Sequence, residues 1–204
     1  MAVQDMHPVV CAPVPSRAEA ESIARELLGD QGTRLAHVCT AGSMGARLAV
    51  LFDHEQAALL VAAATLHDIG YAPSIRRTGF HPLDGAEFLR SIGLPERLAS
   101  LVAHHSEADM LGPQHGVHDL SERFERERSL LADALVYADM HSAPDGAVIR
   151  AEHRLADIAR RKPDPLEQVR AQRLRAAMTR VGRALAERAG IQGGPDGILG
   201  TAGQ

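Results

Sequence analysis

Between Asp53 and Tyr71 the chain writes an interior helix and ends it on two adjacent metal-capable side chains. Asp53 is an N-cap residue type, and the run Glu55 to Leu66 carries small and apolar residues, with Ala57, Leu60, Val61, Ala64 and Thr65 at helical spacing. The string Thr65-Leu-His-Asp-Ile-Gly-Tyr71 closes it, and Gly70 breaks the helix. A carboxylate beside an imidazole at a buried helix end can share one oxygen with each of two cations while the imidazole fixes one of them. The dipeptide alone is common, so its weight depends on what the other helices bring to it.

Those helices are legible along most of the chain. Residues 1–15 hold three of the first prolines and no periodicity, which predicts an irregular arm. Ser16 followed by Glu19 opens a helix through Ala20, Ile23, Ala24, Leu27 and Leu28 that stops at Gly29. A second starts at Thr33, carries His37, and runs through Gly42, Gly45, Leu48 and Leu51; its glycines weaken it or allow close helix contact. After a loop at 71–79, a fourth helix follows His81-Pro82 and ends before Gly93, and a fifth opens at Pro95 and leads into His104-His105. Periodicity lapses between Ser106 and Ser121, which predicts a long loop. Leu131, Leu135 and Asp139 then lie one turn apart, so an apolar face carries a carboxylate inward. Further helices are expected over Ala147 to Arg161 and from Leu166 to Ala189, and residues 190–204, glycine-rich, read as a flexible tail. No strand pattern exceeds a few residues. The fold class is all-α, with one domain over 16–189 and a helical C-terminal extension.

Composition narrows the chemistry. At 204 residues, 45% hydrophobic and 24% charged, the chain is long enough for one buried core. A net charge of -4 and 3% aromatic residues give no electrostatic footprint or stacking platform for a nucleic-acid polymer. Cys11 and Cys39 lack metal-type spacing, and the longest apolar run falls far short of a membrane span, so a cytoplasmic protein without a membrane partner is the expectation.

Eleven histidines remain, and several sit at helix ends or faces: His37, His67, His81, His104 and His105. Ligands delivered from several helices to one interior point are how helical proteins build metal sites. In this order, with Asp68 and Asp139, they resemble the HD-domain superfamily of metal-dependent phosphohydrolases, and His67-Asp-Ile-Gly70 is similar to its HDIG form. Arg34-Leu-Ala-His37-Val and Phe80-His-Pro-Leu-Asp-Gly85 add to the resemblance, which covers roughly residues 30–145.

The resemblance implies an all-helical core in which His37, His67, Asp68 and Asp139 hold one metal. Asp68 would bridge to a second cation held by His81, His104 and His105. Such a nitrogen-rich site suits iron or manganese first, then zinc, nickel or cobalt, and magnesium least. The implied reaction is hydrolysis of a small phosphorylated substrate, a phosphomonoester, phosphodiester or nucleotide, by a metal-activated hydroxide, with His67 and Asp68 at its centre. Arg76 and Arg77 on the loop after the motif are candidate phosphate clamps, and Arg34, one turn before His37, can face the site. His115, His118, His141 and His153 are read as non-ligands.

The chain also departs from the pattern. Tyr71 stands where many two-metal members carry lysine, and neither a Gly-Tyr-Pro after His104-His105 nor the acidic run of (p)ppGpp hydrolases is present. An HD-type di-iron oxygenase cleaving a C–C or C–P bond is the alternative, with Tyr71 as a ligand or substrate contact. A non-catalytic ligand-binding module is the third reading.

Overall fold

A computed structural model describes residues 12–29, 31–161 and 164–190; the expected arm up to Cys11 and the tail beyond Gly190 lie outside them. The chain is all-α, and among the described residues the only β pairing is an isolated bridge between Ser142 and Val148.

The first helix, α1 (Arg17–Leu28), starts on a capping box: Ser16 Oγ accepts from Glu19 N at 3.3 Å and Ser16 N donates to Glu19 Oε2 at 2.7 Å. Its buried stripe, Ala20, Ala24 and Leu28, is spaced every four residues and faces α2 (Gly32–Leu48) and α3 (His54–Leu66). α3 is the interior helix the sequence predicts. Asp53 caps it by accepting from Gln56 N at 2.8 Å, and seven residues of it, from Leu59 to Leu66, are buried. α2 lies against it so closely that a Cβ on Gly42 would meet Thr65 Oγ1 at 2.2 Å, which decides what the α2 glycines are for.

α4 (His81–Ser91) and α5 (Glu96–His104) pack on each other, α5 against α3 and α4 against the turn that follows α3. The glycine of the motif explains how α4 comes so near. A Cβ on Gly70 would lie 1.9 Å from His81 O and 2.7 Å from Gly85 N, so only glycine lets the start of α4 sit on the turn after α3. The loop before α4 is tied down by Asp84, 1% exposed, whose carboxylate accepts from Thr78 N, Thr78 Oγ1 and Gly79 N.

The expected long loop at 106–121 winds instead into 3-10 turns at His105–Met110 and Gly112–His115, then a single turn, α6 (Leu120–Arg123). Turns this short have no repeated apolar face and leave no periodic signal. α7 (Leu130–Met140), capped by Ser129, is buried from Ala134 to Met140 and crosses α2 and α3. α8 (Ala151–Arg161) begins four residues later than the sequence predicts, because 147–150 pair back toward His141 and Ala143. α9 (Pro165–Arg188), N-capped by Asp164, covers α7 and α8. One hydrophobic cluster runs from Ala20 in α1 to Val181 in α9.

Candidate metal centre

The C-terminal ends of α3, α5 and α7, the middle of α2 and the start of α4 meet at one buried point. His67 and Asp68 leave the end of α3, and Asp139 sits one residue before the end of α7. His37, His67, Asp68, His105 and Asp139 are all buried, with exposures of 6% or less, while His81 stands at the rim.

Three of the imidazoles are oriented by the backbone. Ala143 O accepts from His37 Nδ1 at 3.2 Å, Ala64 O from His67 Nδ1 at 2.9 Å, and Val102 O from His105 Nδ1 at 2.6 Å. A carbonyl is only an acceptor, so each Nδ1 carries the proton and each Nε2 an unshared pair. These pairs converge: His37 Nε2 lies 3.2 Å from His67 Nε2, and His81 Nε2 lies 3.3 Å from His105 Nε2. Asp139 Oδ1 is 3.2 Å from His37 Nε2 and 3.7 Å from His67 Nε2. Asp68 turns Oδ1 toward His67, His81 and His105 at 3.6, 3.2 and 3.6 Å, and Oδ2 toward His37 at 3.7 Å.

Lone pairs aimed at one another inside a protein repel unless a cation stands between them. Donors about 2.1 Å from one ion lie roughly 3.0–3.4 Å apart at tetrahedral to octahedral angles, close to the spacings found here. His37, His67 and Asp139 form one group able to hold a metal ion, and His67, Asp68 and His105 a second.

The electrostatics carry the same demand for positive charge. Burial pushes the His67 imidazole down to about 4, so it stays neutral and keeps its lone pair. Burial opposes ionisation of Asp68, but the imidazoles of His67, His105 and His81 that face it outweigh burial and hold the carboxyl well below its usual range. Asp139 is likewise held low, burial being overcome by His37 and His67. For His37 burial is the largest effect and lowers it, yet the facing carboxylates of Asp139 and Asp68 favour its protonated form and raise it above its ordinary value.

His104, expected from the resemblance as a ligand, does not join the cluster in this structure. Its Nε2 donates to Phe124 O at 2.8 Å, and its ring lines a separate cavity of about 480 Å³ beside Arg126 and Ser129. The reason is the backbone. His104 ends α5 and His105 is already extended (φ -55°, ψ 144°), so the adjacent rings point to different sides. Ser106 and Glu107 then adopt left-handed φ of 51° and 60°, a conformation costly for residues with a Cβ. That turn is clamped: Ser106 Oγ donates to Asp139 Oδ2, Arg170 Nε donates to Ser106 O at 2.8 Å, and Arg126 pairs with Glu107 at 2.7 Å.

Of the expected substrate contacts, two reach the site and two do not. Arg34 Nη1 pairs with Asp68 Oδ2 at 2.5 Å, and its guanidinium lies 4.0 Å above the Tyr71 ring. Tyr71 stacks its other face on His81 at 4.0 Å, and burial, then the charge of Asp68, push its phenol up to about 12. Arg76 and Arg77 are exposed and do not line the cavity of about 110 Å³ that opens over Asp68, His81, His105 and Asp139. Arg154 and Ile158 of α8 and Arg170 of α9 do line it. Sequence reasoning missed these three, since α8 and α9 carry no motif. His141 stacks on Tyr137 at 3.9 Å, and no described helix is long and apolar enough to cross a membrane.

A family model for the HD domain matches residues 34–178, which is more than half of the chain. The chain belongs to the HD-domain family. The match gives this HD domain a metal-dependent hydrolase-type fold and extends past the motif region into α9, so the helices that line the cavity are part of it. No curated protein and no solved structure matches this HD domain.

Proposed function

We propose that this HD domain is a metal-dependent phosphohydrolase acting on a small phosphorylated molecule. The observation that carries the reading is the convergence of imidazole lone pairs and two ionised carboxylates on one buried point, with each oriented imidazole fixed through Nδ1 by a backbone carbonyl. His37, His67, Asp68 and Asp139 would hold one divalent cation. Asp68, His81 and His105 would hold a second, with positions left open for water and substrate. The nitrogen-rich donor set favours iron or manganese.

Cations bound there supply Lewis acidity, which lowers the pKa of water and neutralises charge on phosphoryl oxygens. The chain's own groups do the rest. Asp68 remains ionised and serves both halves of the centre, while neutral His67 offers Nε2. Arg34 balances Asp68 and clamps Tyr71 against His81, which keeps that imidazole in place. The net reaction is a phosphate ester plus water giving an alcohol and inorganic phosphate. The water oxygen ends on phosphorus, the ester P–O bond breaks, and the leaving oxygen takes a proton.

The test is metal analysis of the purified protein followed by anaerobic assay with manganese and p-nitrophenyl phosphate. Bound metal and turnover, both lost in His67→Ala and Asp68→Ala, are expected. Wild type carrying no more metal than these variants would overturn the metalloenzyme. Turnover that needs iron and consumes oxygen would replace the hydrolase with an oxygenase, and metal without any turnover would leave a binding module.

A further inference from the structure

We infer that Arg154 is the phosphate receptor of this centre, and that the site takes a compact phosphate monoester through it. This rests on the phosphohydrolase reading and adds the residue and substrate class that it leaves open.

Three arginines line the cavity over Asp68 and Asp139, and two are already engaged. Arg34 is paired with Asp68 and stacked on Tyr71. Arg170 donates to Ser106 O and pairs with Glu167 at 2.9 Å. Arg154 differs. Among the described residues its guanidinium has no hydrogen-bond or ion-pair partner, and its Nε is buried with none. A buried N–H left unpaired costs stability. That N–H is open to a ligand entering the cavity, and the charge of Arg154 is felt at both His37 and Tyr71.

A guanidinium with free N–H groups beside a metal-capable centre suits an anion with two equatorial oxygens to offer, which a phosphoryl group has. The size of the cavity limits what accompanies it. At about 110 Å³ it is well below the roughly 300–1,000 Å³ that encloses a drug-sized ligand. Only the phosphoryl head and a short stem fit inside, against Phe80, Leu111, Met140 and Ile158. A diester would need room for a second substituent and would bring one negative charge instead of two.

The experiment titrates inorganic phosphate into the manganese-loaded full-length chain by calorimetry, with Arg154→Gln, Arg154→Lys and the double variant Arg76→Gln/Arg77→Gln beside wild type. Metal content and thermal unfolding are measured on the same samples. Arg154→Gln should bind phosphate at least tenfold more weakly, with unchanged metal content and a melting temperature equal to or above wild type, because an unpaired buried N–H has been removed. Arg154→Lys should be intermediate, and the double variant should match wild type. In wild type, kcat/KM for p-nitrophenyl phosphate should exceed that for bis(p-nitrophenyl) phosphate at least tenfold, and the ratio should fall in Arg154→Gln.

Undiminished phosphate binding in Arg154→Gln, its loss in the double variant instead, or no phosphate binding by metal-loaded wild type overturns the assignment. A variant at 154 that melts lower or fails to fold overturns it too, since that marks a structural role. Preference for the diester overturns the substrate class. Failure of wild type to bind metal sinks the hydrolase reading itself, whereas normal metal loading with unaltered phosphate binding sinks only the role of Arg154.

Discussion

Asp68 is where the site's chemistry is concentrated, because its two oxygens face four imidazoles and a guanidinium without leaving the interior. Its neighbours at 104 and 105 offer a sharper residue-scale test than the motif itself. His105 turns Nε2 toward Asp68, and His104 turns its ring to Phe124 O. His105→Ala should therefore lower metal content at least tenfold. His104→Ala should keep it, at a stability cost of about 1 kcal/mol for the lost hydrogen bond. Elemental analysis of both variants, with urea unfolding, checks the pair, and equal metal loss in the two would contradict the geometry. Arg34→Ala should lower metal affinity by about tenfold, as loss of an outer-shell partner does, and a competitive chelator titration measures it.

At the scale of elements, the decisive contact is the start of α4 on the turn after α3. Gly70 admits His81 O and Gly85 N at distances that no Cβ tolerates. Gly70→Ala must push α4 outward, and with it His81. The expected result is destabilisation of about 1–3 kcal/mol, the range for overpacking, together with weaker metal binding, since His81 is displaced. Denaturant midpoints and metal stoichiometry report the two effects separately. A Gly70→Ala protein with wild-type stability would show that the contact is looser than described. The clamped turn at Ser106-Glu107 acts similarly, since its left-handed residues separate His105 from His104 and set Ser106 against Asp139.

For the whole molecule, the buried imidazoles make stability depend on pH. His67, His81, His104 and His141 all have pKa values lowered mainly by burial. The unfolded chain therefore binds more protons than the folded one once pH falls below about 6.5, and stability drops as pH falls. For His67, whose pKa is about 4, the loss is on the order of 3 kcal/mol when complete. His37 works the other way: its raised pKa contributes stability below about 6.5 that is lost as pH rises through its folded value. With four lowered imidazoles against one raised, and the lowered carboxyls of Asp68 and Asp139 acting in the same direction toward the acid end, chelator-treated protein should lose urea resistance between about pH 6.5 and 4. A metal present at 100 times its dissociation constant should add about 2.7 kcal/mol at neutral pH. A flat pH profile of the chelated protein would contradict the burial of these imidazoles.

How much of this was legible follows from where the signals live. Caps and periodicity mark α1 and α3, an apolar face marks α7, and the order of His37, His67, Asp68, His81 and Asp139 points to the centre through its resemblance to the HD-domain pattern. The same reasoning treated His104 and His105 alike and assigned phosphate to Arg76 and Arg77 because both lie near the motif in the chain. A single backbone turn after α5 separates the two histidines, and the packing of α8 and α9 brings Arg154 and Arg170 to the cavity from far along the chain. Residue types and their periods are local quantities, so the sequence by itself determined an all-α chain and which histidines and carboxylates its helices carry. Which rings converge and which arginine stands unpaired at the cavity depend on dihedrals and contacts between distant segments, and only the tertiary structure decided them.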